Sequence, residues 1–245
     1  LSYPIQKSIR QTVGVRLTFS SRQMQDEIRV VGMSTSKSAQ SAALMLAATR
    51  DEPWLGLSGQ TRMELGYTQG HLKLEDSALA NDQADGGAHT NGDYAKLTAS
   101  LSRFTQLSKQ LSCQAWIKTQ QALMNKNLDG SEDFAVSGAH GVKAYAPGEL
   151  SAENGYLVGV ELGYALLPFN GMDWSLSAFA DHGRAVMQNR MAGFDAKSLS
   201  DVGAGLSVRY KAFYSRLQIA WAVGQEPISE GTSRTKALWQ MGAAF

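Results

Sequence analysis

The 245-residue sequence predicts an all-β fold made of long antiparallel strands. Apolar and polar residues alternate with a period of two along most of the chain, the pattern of strands with one apolar and one wet face. Short turn signals and long polar connections separate these segments in alternation. The longest unbroken apolar run, residues 42–48, is far below the ~20 residues that a membrane-spanning helix needs, so a helical membrane protein is excluded.

The predicted strands follow one another along the whole chain. A strand end at 1–5 precedes strands at 12–22, 41–49, 55–68, 94–104, 111–122, 158–166, 174–181, 202–210 and 217–223, and a last strand ends the chain. A polar stretch that includes Ser34, Thr35 and Ser36 is predicted to connect the strands at 12–22 and 41–49. Segment 75–93, rich in Asn, Asp and Gly, is predicted to be a long polar loop with no apolar content to bury.

The placement of charge on the strands favours a barrel in a membrane. In the strand at 55–68, Arg62 and Glu64 share the polar parity, and they would cost several kcal/mol facing lipid but little facing a wet lumen. The apolar parity must then face outward. Alternating short and long connections are typical of outer-membrane barrels, which have tight periplasmic turns and larger external loops. The sequence therefore predicts a transmembrane antiparallel β-barrel of the outer-membrane type.

Composition narrows the possible functions. The chain has 23 basic and 22 acidic residues, so it presents no basic field for nucleic acid. The single cysteine, Cys113, provides neither a disulfide framework nor a thiol metal site, and no cofactor motif is present. The chain begins at Leu1 without a signal segment, and we expect it to be a piece of a longer protein.

The stretch 141–149 interrupts the alternation. It reads Gly-Val-Lys-Ala-Tyr-Ala-Pro-Gly-Glu, and its glycines and proline indicate a loop of defined shape. Shaped loops on rigid scaffolds are where function tends to lie. Downstream, the strand segment Phe179-Ala180-Asp181-His182-Gly183 has a parity that places Phe179 and Asp181 on the inward, polar face.

These two segments resemble the two-partner-secretion transporters of the outer membrane, the haemolysin-activator and filamentous-haemagglutinin-transporter family (ShlB/FhaC/HecB type). In that family an inward-folded loop carries a Val-Arg-Gly-Tyr tip, and a lumenal strand carries Phe-x-Asp-x-Gly. The corresponding residues here are Val142, Lys143, Ala144 and Tyr145 at the tip, with Gly148 and Glu149 after it, and Phe179, Asp181 and Gly183 on the wall. The segment Ser131-Glu132-Asp133-Phe134 before the loop also resembles the family.

The last predicted strand carries a further resemblance. Its apolar face includes Trp239 and Met241 and ends on the aromatic residue Phe245 at the last position of the chain. This resembles the carboxy-terminal signal of Gram-negative outer-membrane proteins, which the barrel assembly machinery reads.

The resemblance implies more than the residues show. It implies a pore in the Gram-negative outer membrane, in contact with its lipid, that secretes a partner exoprotein such as a haemolysin, an adhesin or a contact-dependent toxin. Family members have a plug helix, two periplasmic POTRA domains and a barrel of sixteen strands. We expect residues 1–245 to be the carboxy-terminal part of that barrel, about its last ten to eleven strands. An open sheet has unpaired edges that lipid does not tolerate, so this piece should not close a pore alone.

The two motifs together predict a latch. Beside a crowded loop a lumenal Asp181 would be poorly solvated, and Lys143 could neutralise it and so hold the loop inside the pore. Losing one partner of such a buried pair costs about 3–5 kcal/mol. Two departures from the family weaken the expected contact: Lys offers a point charge where Arg offers a planar fork, and Ala144 does not tolerate the positive φ that Gly permits.

An enzyme, a passive barrel and a barrel-assembly factor are the competing interpretations. An enzyme is not expected, because Asp181 and His182 are neighbours on a strand and point to opposite faces, and because no Gly-x-Ser-x-Gly elbow or metal-ligand spacing is present. A passive porin-like or structural barrel would share the strands without the latch, and segment 141–149 would then be an external loop with a solvated Lys143. A barrel-assembly factor of the same superfamily is the third alternative.

Overall fold

The structure is a computed structural model that describes residues 1–28, 33–189, 196–229 and 233–244. Its elements are β1 (Ser2–Lys7), β2 (Gln11–Ile28), β3 (Met33–Asp51), β4 (Gly59–Leu74), α1 (Asp76–Gln83), β5 (Gly92–Gln106), β6 (Leu111–Ala122), a 3-10 helix (Gly130–Glu132), β7 (Phe134–Ala135), β8 (Ser151–Ala152), β9 (Asn154–Ala165), β10 (Asp173–Val186), β11 (Lys197–Tyr210), β12 (Phe213–Val223) and β13 (Thr235–Ala243). Among the described residues, no helix is long and apolar enough to cross a membrane.

One sheet contains eleven of these strands. They are ordered β1-β2-β3-β4-β5-β6-β9-β10-β11-β12-β13, and the neighbours pair antiparallel, so each strand lies beside the strands of this sheet that precede and follow it in the chain. In the described part of the chain, the short strands β7 and β8 form a separate pair inside the connection from β6 to β9. The predicted all-β fold and its sequence of strands are confirmed.

The two faces of the sheet differ in chemistry, because successive side chains of a strand point to opposite sides. One face exposes large apolar side chains along its length: Leu44, Met63, Leu65, Leu101, Leu162, Leu176, Leu206, Leu217 and Trp239. Arg62 and Glu64 have the opposite parity on β4. This arrangement matches a wall whose apolar face meets lipid.

The connections fall into two groups at the two ends of the strands. Those at one end are short: 8–10, 52–58, 107–110, 166–172 and 211–212. Those at the other end include the long segments 75–91, 123–153, 187–196 and 224–234. In outer-membrane barrels the short turns are periplasmic and the long connections are external, so the 123–153 segment, called the central loop below, starts and ends at the external rim.

Several predicted boundaries were wrong. β3 begins at Met33 and takes in the polar residues 34–36, because its outer end pairs with β2 over the full length of both strands and needs no apolar face there. β4 begins at Gly59 and not at 55, because Trp54 and Leu57 exchange two backbone hydrogen bonds of 2.9 and 3.0 Å in a tight turn. Leu55 in that turn has a φ of 51°.

Segment 75–93 was also wrongly predicted to be all loop. It contains helix α1, and Ala78 and Leu79 of this helix pack against a buried cluster, so the segment does have apolar side chains to bury. Asp82 joins the helix to the end of the segment, because its carboxylate accepts hydrogen bonds from the backbone N–H groups of Thr90 (2.8 Å) and Asn91 (3.1 Å).

The buried residues form two clusters on the face opposite the exposed leucines. The base cluster contains Ala39, Leu72, Leu74, Tyr94, Ala122 and Leu128, with α1 packed on it. The tip cluster contains Val136, Val142, Ala144, Tyr145, Leu150, Ala152, Leu157, Phe179, Ala185, Leu199, Ala220 and Ala222. Both clusters include residues of the central loop, so the loop supplies the core that the sheet alone lacks.

Candidate functional site

The tip of the central loop is shaped by close backbone contacts. Val142 N–H donates to the carbonyl of Val136 at 2.8 Å, and Gly141 N–H donates to the carbonyl of Gly138 at 2.9 Å. A side chain at position 141 would overlap the carbonyl of Val136, and Gly138 has a φ of 102°, so both positions require glycine. The reversal presents residues 142–145 to the sheet.

The tip residues are almost completely enclosed. Val142 and Tyr145 are 0% exposed, and Ala144 is 3% exposed. Tyr145 OH donates to the carbonyl of Gln225 at 2.7 Å, which connects the tip to the segment after β12. Burial raises the pKa of the Tyr145 hydroxyl, with the charges of Glu149 and Asp201 acting in the same direction.

Lys143 lies against the wall motif on β10. Its Nζ donates to Asp181 Oδ2, and the same Nζ is 4.4 Å from the centroid of the Phe179 ring. The side chain of Asp181 is 1% exposed and that of Lys143 is 13% exposed. The structure therefore brings together one residue of the tip motif and two of the wall motif, in an ion pair screened from water.

Glycines on the wall make room for this contact. A side chain at Gly183 would lie 2.5 Å from Val136 Cγ1, so this position allows the loop to approach β10. A side chain at Gly159 on β9 would overlap both Trp116 and Asp181. Gly183 belongs to the predicted wall motif, whereas sequence reasoning did not identify Gly159.

Asp201 is a functional candidate that sequence reasoning missed. It is 1% exposed, lies directly opposite Asp181 in the β10–β11 pair, and accepts the backbone N–H of Ala144 at 2.7 Å. The sequence placed the start of this strand at Val202, whereas β11 begins at Lys197. Extending the alternation of Gly203 and Gly205 back by one step would have placed Asp201 on the inward face.

Some predicted site residues lie elsewhere. Gly148 is exposed with a φ of 81°, and Glu149 accepts the backbone N–H of Ile228 at 2.8 Å, so these two residues border the β12–β13 connection and not Asp181. Trp239 and Met241 are exposed on β13, and Trp239 Nε1 donates to Ser215 Oγ at 2.9 Å. Phe245 lies outside the described residues. Ala144 does not adopt a positive φ, so the tip geometry here does not need the family's glycine.

Asp181 and His182 do not form an acid–base pair. His182 points away from Asp181, with Nδ1 2.8 Å from Ser200 Oγ and Nε2 3.3 Å from Tyr156 OH. In the described part of the chain, no group of three or more His, Cys, Asp or Glu side chains is placed to hold a metal ion. The site holds a loop by one ion pair, by the hydrogen bonds of the Ala144 N–H and the Tyr145 hydroxyl, and by apolar packing.

Comparison with known proteins identifies the family. The family model for the haemolysin secretion/activation proteins ShlB/FhaC/HecB matches residues 1–210. The chain belongs to this family. Its members are two-partner-secretion transporters in the outer membrane of Gram-negative bacteria, so the predicted family, membrane and fold class are confirmed. No curated protein matches the sequence significantly.

Solved structures show the same fold. CdiB from Escherichia coli superposes with a TM-score of 0.58 at 14% identity, over 96% of this chain and 51% of the CdiB chain. CdiB from Acinetobacter baumannii superposes with a TM-score of 0.53 at 14% identity, over 98% and 49%. This chain therefore spans about half the length of the solved chains that it resembles.

Proposed function

We propose that the chain forms the wall and the gating loop of a pore that secretes a partner exoprotein, a haemolysin, an adhesin or a contact-dependent toxin, across the outer membrane. The observation that carries this proposal is the buried ion pair of Lys143 with Asp181. It fastens the tip of a long loop to the polar face of the sheet, where an open pore would need space. The chain belongs to a family of secretion proteins, which supports a role in secretion.

We further propose that residues 1–245 are the carboxy-terminal part of the barrel. The remainder of the protein would supply the first strands, the plug helix and the POTRA domains. In the described residues β1 and β13 are the two edges of the sheet, and lipid does not tolerate unpaired edges, which supports closure by further strands. The barrel assembly machinery and the membrane lipid are the other partners of this proposal.

In the proposed cycle, the POTRA domains capture the unfolded exoprotein in the periplasm. The tip of the central loop then leaves Asp181, and the exoprotein threads through the lumen and folds outside. Folding of the exported chain supplies the direction of transport. The ion pair resists opening because the charge-assisted hydrogen bond between Lys143 and Asp181, made in a site screened from water, is lost when the tip leaves.

A disulfide that fixes the loop to the wall tests this proposal in the full-length protein with Cys113→Ser. Val136 and Gly183 suit a bond, because a Cβ at position 183 would lie 2.5 Å from Val136 Cγ1. Val136 Cβ is one bond of about 1.5 Å further, which is compatible with the Cβ separation of about 3.5–4.5 Å that disulfides need. A matched control is a bond between Ser177 and Gly205, both on the wall, where the new side chain would lie 2.7 Å from Ser177 Oγ.

We expect both cysteine pairs to bond in outer membranes, and only the bond between positions 136 and 183 to block secretion, with recovery on reduction. Secretion that continues with this bond fully formed would show that the loop does not gate the pore. If the control pair bonds and the loop pair does not in a folded barrel, the loop lies elsewhere. A passive pore would then explain the protein better, and steady conductance in planar bilayers would identify it.

A further inference from the structure

The central loop has a second attachment, far from its tip. Glu132, at the end of the 3-10 helix, is 7% exposed, and its carboxylate accepts from Arg22 of β2 and, at 2.9 Å, from Lys96 of β5. Neither cation belongs to the strands that hold Lys143. We call this contact of Glu132 with Arg22 and Lys96 the base anchor.

The backbone strengthens the base anchor. The carbonyl of Glu132 accepts from Lys96 Nζ at 2.8 Å and from Gln120 Nε2 at 2.9 Å, and the same Gln120 amide donates to the carbonyl of Glu153 at 3.0 Å. Gln120 thus joins the beginning of the central loop to its end. Lys37 of β3 adds a bond of 3.1 Å to Asp129.

The base anchor also joins distant parts of the wall. Two strands separate β2 from β5, and at about 4.8 Å per strand their axes lie roughly 14 Å apart along the sheet. Arg22 and Lys96 have long side chains, so one carboxylate placed between the two strands contacts both cations. Glu132 therefore joins β2 to β5 across the width of β3 and β4.

The base and the tip of the central loop also pack against different clusters of apolar residues. Leu128 lies in the base cluster, with residues of β3, β4, β5 and β6, whereas residues 136–152 lie in the tip cluster, with residues of β9, β10, β11 and β12. The two halves of the loop thus differ in the wall that their apolar side chains pack against and in their ion pairs, while Asn125 and Asn127 of the first half also share hydrogen bonds with Asn189, which follows β10. A movement that breaks the tip contacts does not require the base contacts to break.

We propose that Glu132 is a positioning residue that keeps the base of the loop on the β2–β5 wall while the tip swings away, so that the pore opens between the loop and the β9–β12 wall. This inference rests on the proposed function only for its second part, the position of the opening. The independence of the two attachments is a property of the resting protein.

Two introduced cysteines measure the exposure of the base and of the tip of the central loop separately. In the full-length protein with Cys113→Ser, Leu128→Cys reports the base and Ala144→Cys reports the tip, since these positions are 4% and 3% exposed. The measurement is the rate of maleimide labelling in outer membranes, relative to the unfolded protein. Barrel folding of every variant is checked by its resistance to heat on gels.

Glu132→Gln should speed labelling of the thiol at position 128 by at least about tenfold, because two cations lose their buried partner, and should change labelling at position 144 much less. Lys143→Ala should do the reverse. Glu64→Gln is the matched control, since Glu64 has the inward parity of β4 and makes no ion pair or hydrogen bond to the loop in the described residues. Equal acceleration at both thiols in either variant, or no acceleration at position 128 in Glu132→Gln, would overturn the independent base anchor.

A second measurement tests where the pore opens. A photo-crosslinker at Gln218 of β12 should capture a stalled exoprotein. The same crosslinker at Thr98 of β5 should capture it rarely. Capture mainly at position 98 would refute an opening beside β9–β12, whatever the labelling shows. If neither position captures a stalled exoprotein, the secretory function itself fails, while the labelling result still decides the base anchor.

Discussion

Replacing Lys143 with alanine should undock the tip of the central loop, and the structure sets the size of the effect. The change removes the ion pair with Asp181, whose side chain is 1% exposed, and the contact with the Phe179 ring at 4.4 Å. Both contacts use the same Nζ, so we count them once, as the loss of one partner of a buried pair, about 3–5 kcal/mol. The closed-to-open ratio of the tip should therefore fall by roughly a hundredfold to several thousandfold.

The assay is the labelling rate of Ala144→Cys with and without Lys143→Ala, each divided by the rate in the unfolded protein. A double variant with Asp181→Asn separates the causes. If the cost comes from the stranded carboxylate, the double variant should regain most of the protection, because no charge remains buried without a partner. A loss of less than about fivefold in Lys143→Ala, or no recovery in the double variant, would refute the reasoning that the ion pair holds the tip.

Three further predictions concern other contacts of the loop. Gly159→Ala should weaken protection of the thiol at position 144, because its side chain would overlap Asp181, whereas Gly130→Ala, with nothing within 4 Å, should leave it unchanged. Asp201→Ala should cost about 1–3 kcal/mol of tip docking, because the N–H of Ala144 loses its acceptor; Asp201→Asn keeps an oxygen there and should cost clearly less, and equal losses would contradict this role. At the base of the loop, burial is the main cause that raises the pKa of Asp133 from 3.8 to about 7, and the charges of Glu153 and Asp129 act in the same direction. The hydrogen bond with Ser151 and the charge of Lys96 lower this pKa, but by less. The folded state thus favours protonated Asp133, and its stabilising contribution is fully present below the unfolded pKa and lost as pH rises through the folded one. Protection of the thiol at position 128, corrected for its thiolate fraction, should fall between about pH 4 and pH 7, and Asp133→Asn should abolish the fall.

Most of the fold could be predicted from the sequence, because alternation within the membrane leaves little choice. Lipid on one face and a polar interior on the other impose a period of two, and Arg62 and Glu64 mark which parity is inward. Beyond the lipid both faces can be polar, so alternation disappears and the outer half of β3 could not be predicted. Helix α1 was missed for a related reason, since its Ala78 and Leu79 are too few to give a helical period.

The candidate site also contains residues that the sequence could predict and residues that it could not. The motif residues Lys143 and Asp181, which the sequence singled out, lie in contact in the structure. Asp201 could not be placed while the start of β11 was uncertain, although its register opposite Asp181 follows once the hairpin is drawn. The partners of Glu132 lie on β2 and β5, which are not neighbours in the sheet, and no pattern within a single strand contains that information.

The two attachments of the loop also differ in how many charges hold them. At the tip one cation, Lys143, meets the wall, so a single side chain controls the ion pairing with Asp181. At the base Glu132 meets two cations, and Lys37 adds a separate pair with Asp129. Loss of one basic residue at the base leaves Glu132 a remaining partner, whereas loss of Lys143 takes away the cation that Asp181 contacts. If the loop opens at one end as proposed, we expect the tip to release first, because a single ion pair holds it.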